Sequence, residues 1–181
     1  AVLHKKTIFY VGLYAVAAYG AYYLYNNTKK AYARIILDKG MAGGGLPALL
    51  TFGKNYILVE MSYVAASPNF EKMIFELKVK GLQPILAHPE RYNFYHQNFD
   101  IYNRLKDIGC LFQVNLLSLA GYYGKPVEKV ALKLIKENMI DFIGTDLHHT
   151  NHFNAMKAFV SHKNFYKIVK DIDFKNKTLL G

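Results

Sequence analysis

Four short apolar runs, YILVE at 56–60, QPILAH at 83–88, LFQVN at 111–115 and DFIGTD at 141–146, are separated by stretches of helical periodicity. Strands alternating with amphipathic segments are the pattern of parallel strands joined by helices, so the expected class is α/β. The first predicted helix, over 69–80, sets Phe70, Met73, Ile74 and Leu77 on one stripe, with Glu71, Lys72, Glu76 and Lys80 mostly off it. A second is predicted over 97–108, stopping at Gly109. A third over 127–138 turns Val130, Leu134 and Ile135 inward, and a last helical stretch lies near 154–170.

Composition bounds the chemistry. With 181 residues, 52% of them hydrophobic, the chain can bury the core of one domain without disulfides or a structural metal. Cys110 is the single cysteine, so an internal disulfide and a cysteine-based zinc knuckle are both excluded; a reducing, cytoplasmic home is expected. Any metal must then sit on His, Asp or Glu. The formal net charge is +10, yet residues 1–40 carry six Lys/Arg against the lone Asp38 and so hold half of it. The rest is mildly basic and has no basic block with interleaved aromatics, so nucleic acid is not an expected partner.

Residues 7–28, TIFYVGLYAVAAYGAYYLYNNT, are uncharged and bounded by lysine pairs. Such a stretch is long enough for a membrane anchor, but Tyr14 and Tyr19 fall near its middle and Leu/Ile content is low, so a buried strand–helix stretch is the favoured reading. No A-x-A-like processing site is followed by a mature start, so a cleaved signal is not expected. The glycine cluster GMAGGG at 40–45 lacks the Gly-Lys-Ser/Thr ending of a phosphate loop and reads as a flexible turn.

The chemistry-bearing residues fall at one place. Glu60, His88, Asn115 and Asp146 each close an apolar strand run at its carboxyl end, the edge on which parallel α/β folds build their sites. AHPER by itself divides between a proline turn and a site. In GTDLHH, Asp146 and His148 are two residues apart and point to one side of an extended exit; carboxylate and imidazole suit Zn, Mn or Fe. His149 and His152 read as loop residues, and Glu60 alone is only a strand end. Taken together these segments point to a metal site. Such a site suits hydrolysis of a phosphate ester, with Arg91 as a planar clamp on phosphate oxygens; its competing reading is an ion pair with Glu90 or Asp100. Other nucleophile schemes fail. Six residues after Cys110 stands Leu116 rather than arginine, and no G-x-S-x-G exists. The aspartates of DIDFK, from 171, read as a solvated tail turn.

The combination LTFGKNYILVEMSY (50–63), PILAHPERY (84–92), GCLFQVNLLSLAGYYGK (109–125) and DFIGTDLHH (141–149) closely resembles the PHP-domain (polymerase and histidinol phosphatase) protein-tyrosine phosphatases of bacterial capsule and exopolysaccharide clusters. The resemblance runs over about 50–170. It implies a distorted (β/α)7 TIM-like barrel and up to three divalent transition metal ions (Mn, Fe or Zn). It also implies a phosphotyrosine protein substrate, a bacterial tyrosine kinase, with membrane contact only through that partner. Carried over by position, Glu60, His88, Asp146 and His148 become metal ligands and Arg91 the phosphate-binding arginine.

The front of the chain departs from that family pattern. It has only His4 before Leu50, no His-x-His, and no glutamate before Glu60. Residues 1–181 are therefore read as one PHP-like domain with an anomalous part at 1–49 and a family-like part at 50–181. Three readings of the front stay open: an incomplete or uncertainly assigned version of a normal enzyme, which is favoured; a degenerate, non-catalytic binding module of a polysaccharide-assembly system; or an anchor in place of the missing strands.

Overall fold

The structure, a computed structural model, describes residues 51 and 55–179. The stretch at 7–28, the glycine cluster at 40–45 and the other expectations for 1–49 lie outside the described residues. Four strands, β1 (Tyr56–Val59), β2 (Gln83–Ala87), β3 (Leu111–Asn115) and β4 (Phe142–Gly144), form one sheet in the order β1-β2-β3-β4. Every pairing is parallel, with Val59 opposite Leu86, Leu86 opposite Phe112, and Val114 opposite Ile143. The strand assignments made from the sequence hold to within two residues.

Parallel neighbours need crossovers, and helices supply them. α1 (Phe70–Val79) follows β1 and buries Phe70, Met73, Ile74 and Leu77, the stripe expected from periodicity. Gly81 (φ 78°) then turns the chain into β2. After β2 come two single 3-10 turns, Pro89–Arg91 and Asn93–Tyr95, and then α2 (Asp100–Asp107), which buries Ile101, Tyr102 and Leu105. Two helices follow β3: the short α3 (Leu116–Leu119) and the longer α4 (Lys125–Lys136), the latter burying Val127, Val130, Ala131 and Leu134. α5 (Thr150–Val160) and α6 (Lys163–Val169) come next, and a 3-10 helix, Lys175–Leu179, ends the described order. Phe112, Val114, Leu86, Ile57 and Val59 fill the centre of the core together with Tyr92, Tyr102, Phe70 and Leu134.

Two departures from the periodicity have local causes. The single helical stretch expected near 154–170 is two helices, because His162 leaves the helical conformation and its Nδ1 accepts from the Asn164 N–H (3.2 Å), capping a new start. Asn115, at the end of β3, takes a structural part: its Oδ1 accepts from the Leu117 N–H (2.8 Å), making it the cap of α3.

Long-range polar contacts tie the far end. Asp141, just before β4, is bound by Lys106 of α2 (2.5 Å), by Lys175 (2.7 Å) and by the Phe112 N–H (2.9 Å). Asn176 pairs with both the N–H (3.0 Å) and the C=O (2.9 Å) of Ile143. Gly144 lies under the Gln113 side chain, where a Cβ would come within 1.5 Å of the Gln113 amide nitrogen.

Candidate metal centre

Strained backbone marks the carboxyl edge of the sheet. Non-glycine residues at positive φ among the described residues are His88 (φ 36°), Asn138 (φ 55°) and Asp146 (φ 44°). Asn138 lies just beyond α4, where asparagine commonly adopts this conformation. His88 and Asp146 follow no helix but leave β2 and β4, where a left-handed L-residue costs roughly 1–2 kcal/mol. Strain of this kind persists where surrounding contacts hold it and is concentrated at functional sites.

The contacts are two carboxylate–imidazole pairs. His88 Nε2 lies 2.7 Å from Glu60 Oε1, joining the exits of β2 and β1. His148 Nε2 lies 2.6 Å from Asp146 Oδ1 on the loop after β4. The pairs sense one another electrostatically. The His88 hydrogen bond is the main reason the Glu60 carboxyl sits below its usual range. For Asp146, burial opposes ionisation, but electrostatic interaction with His88, His148 and Arg91 outweighs it and the carboxyl is again held low.

Arg91 joins the same cluster. Its guanidinium donates from Nη1 to Asp146 Oδ2, so its ion pair is with Asp146 rather than with the expected alternatives Glu90 or Asp100. It also lies over two aromatic rings, 4.8 Å from the centroid of Tyr63 and 4.2 Å from that of Tyr123. Such rings favour a cation while restricting its hydration. Burial alone would favour a neutral guanidine, yet Tyr63 and Asp146 reverse that, and Arg91 stays firmly cationic. The Tyr63 hydroxyl reaches His88 Nε2 (3.0 Å) and donates to Glu60 Oε1 (3.3 Å), and burial pushes the phenol upward.

The five residues given a site role from the sequence, Glu60, His88, Arg91, Asp146 and His148, thus lie together at one edge. His149 and His152, expected in a solvated loop, divide. His149 is exposed as the cap of α5, while His152 is buried in the first turn of that helix with its ring centroid 3.7 Å from that of His149. The helix starts four residues earlier than its periodicity indicates, which carries His152 inward. Sequence reasoning missed three neighbours: Tyr63, Tyr123 and the wholly buried Glu90. The first two carry no local signal; Glu90 stood inside the recognised HPER stretch but reads there as a surface charge.

Among the described residues no three His, Cys, Asp or Glu side chains are arranged to hold a metal ion. The donor chemistry of the two pairs nevertheless fits a divalent transition metal, being two carboxylates and two imidazoles with no thiolate.

Comparison with known proteins places the chain in a family. Residues 45–180 match the family model for capsular polysaccharide synthesis, CpsB/CapC. The tyrosine-protein phosphatase YwqE of Bacillus subtilis (strain 168) is 33% identical over 113 residues, 61% of this chain and 44% of that protein. The putative tyrosine-protein phosphatase CapC of Staphylococcus aureus is 36% identical over 93 residues, 51% of this chain and 36% of that protein. A chain from the crystal structures of YwqE from Bacillus subtilis and CpsB from Streptococcus pneumoniae, described as unique metal-dependent tyrosine phosphatases, superposes with a TM-score of 0.55 at 27% identity, covering 68% of this chain and 53% of that one. The chain therefore spans about half the length of the relatives it matches, or less. The family match takes in all four strands, both carboxylate–imidazole pairs and Arg91, and the chain belongs to the capsular polysaccharide synthesis CpsB/CapC family.

Proposed function

We propose that this chain is a metal-dependent phosphoric monoester hydrolase that removes phosphate from tyrosine in proteins, its substrate being a bacterial tyrosine kinase of capsule or exopolysaccharide synthesis. The observation that carries this is the meeting of Glu60–His88, Asp146–His148 and Arg91 at the carboxyl edge of a parallel sheet. The names of the relatives support it. The whole domain is read as a PHP-type (β/α)7 barrel acting in the cytoplasm. No helix among the described residues is long and apolar enough to cross a membrane.

Glu60, His88, Asp146 and His148 would supply ligands to a centre of Mn, Fe or Zn ions, up to three in the reading by resemblance. Divalent ions at such a site polarise phosphoryl oxygens and activate water near neutral pH. Arg91 offers a planar, permanently charged fork to the phosphoryl oxygens, and the rings of Tyr63 and Tyr123 keep it oriented and partly dehydrated, where its charge acts more strongly. Asp146 holds the same guanidinium, so a bound phosphate competes with a carboxylate for Arg91.

The test is turnover of p-nitrophenyl phosphate and of a phosphotyrosine peptide in added Mn, with metal content measured on the same sample. Metal binding with preference for the phosphotyrosine peptide over phosphoserine is expected. Less than one tightly bound metal per chain together with no turnover would sink the enzyme reading and leave a binding module.

A further inference from the structure

The Glu90 side chain is completely buried and lies between His88 and Arg91 in the strained turn that leaves β2. One carboxyl oxygen, Oε1, accepts from the Asn115 N–H at 3.0 Å and from the Ser118 hydroxyl at 2.6 Å. These two donors belong to the end of β3 and to α3, so the side chain bridges two successive sheet exits. The backbone carbonyl of Glu90 meets His96 Nε2 at 2.7 Å, beyond the second 3-10 turn. Tyr102 of α2 donates its hydroxyl to the Pro89 carbonyl at 3.2 Å, and the turn packs on α4. The turn is thus held from both sides, and Glu90 is its inner anchor.

Burying a carboxyl group is costly, and here the other oxygen, Oε2, has no partner among the described residues. A surface glutamate would serve a simple proline turn at no such cost. The arrangement makes sense if the turn must be kept in a conformation it would otherwise leave, since His88 is in the left-handed region and directly precedes a proline.

We infer that Glu90 is a positioning residue: through the Asn115 N–H and Ser118 hydroxyl it clamps the 88–91 turn, setting His88 toward Glu60 and Arg91 toward the phosphoryl group. Its role is to accept hydrogen bonds rather than to carry charge to a metal or a proton to a substrate. The catalytic part rests on the phosphatase reading above; the clamping part does not.

The two parts are read separately by comparing Glu90→Ala, Glu90→Gln and Ser118→Ala in the full chain. Hydrogen exchange follows residues 88–96, and kcat and KM for p-nitrophenyl phosphate are measured alongside. Glu90→Ala is expected to speed exchange across 88–96 by about tenfold while the strands stay protected, and to lower kcat by about 100-fold with little change in KM. Glu90→Gln keeps an accepting oxygen and restores both to within about threefold. Ser118→Ala removes one donor and raises exchange about threefold in the same turn, which keeps the test alive if Glu90→Ala fails to fold. Unchanged exchange in 88–96 for a folded Glu90→Ala or for Ser118→Ala overturns the inference, as does a Glu90→Gln as impaired as Glu90→Ala. A wild-type chain without turnover would remove the phosphatase reading, while the exchange measurements still decide whether Glu90 clamps the turn.

Discussion

His88 Nε2 and Glu60 Oε1 lie 2.7 Å apart although they come from the exits of different strands, and His88 reaches that position only from a left-handed backbone. The pairing sets a carboxylate and an imidazole from two strand ends side by side, at the place proposed for the metal. His88→Ala is expected to lower bound transition metal at least about tenfold, measured by mass spectrometry after dialysis, with secondary structure retained. Metal content equal to wild type would remove His88 from the ligand set.

Arg91→Lys keeps the charge but not the fork. It is expected to retain metal and to lose about 100-fold or more in kcat on p-nitrophenyl phosphate, since a lysine cannot match two phosphate oxygens. Wild-type kcat in this variant would show that Arg91 serves only its ion pair with Asp146.

Asp141 sets a pH dependence remote from the site. Burial works against its ionisation, but Lys106, Lys175 and the Phe112 N–H outweigh it and hold its carboxyl below the ordinary range. A carboxyl lowered in the folded state contributes its full stability above the unfolded value, near pH ~4, and loses it as pH falls through the lower folded value. Asp141→Asn is expected to cost about 2–3 kcal/mol in urea unfolding at pH 7, less than a wholly buried pair because both lysines keep water. The difference from wild type should shrink below about pH 3. A pH-independent difference would mean that the loss is one of packing.

Gly144 tests the packing at the end of β4. Adding a methyl group would drive a Cβ to 1.5 Å from the Gln113 amide, so Gly144→Ala must displace that side chain. The expected cost is about 1–3 kcal/mol, and Gln113→Ala in the same chain should recover most of it. Additive losses in the double variant would place the strain elsewhere.

Cys110 is buried, and that burial pushes its thiol up to about 12. In the native state it is expected to resist a thiol reagent at pH 8 and to react fully in denaturant. Rapid native reaction would indicate that the region around β3 opens readily.

Much of this was legible in one dimension. The alternation of apolar runs with amphipathic stretches points to a parallel α/β sheet, because a helix between two short strands carries the chain back to the edge from which the first strand began. The order of the ends, with Glu60, His88 and Asp146 all on the carboxyl side, follows from parallelism alone. The tertiary structure decided what those residues touch. Asn115 stands at a strand end like the others, yet a helix beginning one residue later claims it as a cap, and His152 turns inward because α5 starts early. Glu90 reads as a surface charge until β3 and α3 bring it two donors, and Arg91 finds Asp146 rather than a neighbour in sequence. Local propensity specifies elements; partners that arrive from distant parts of the chain, and the left-handed turns that those partners stabilise, have no local signature.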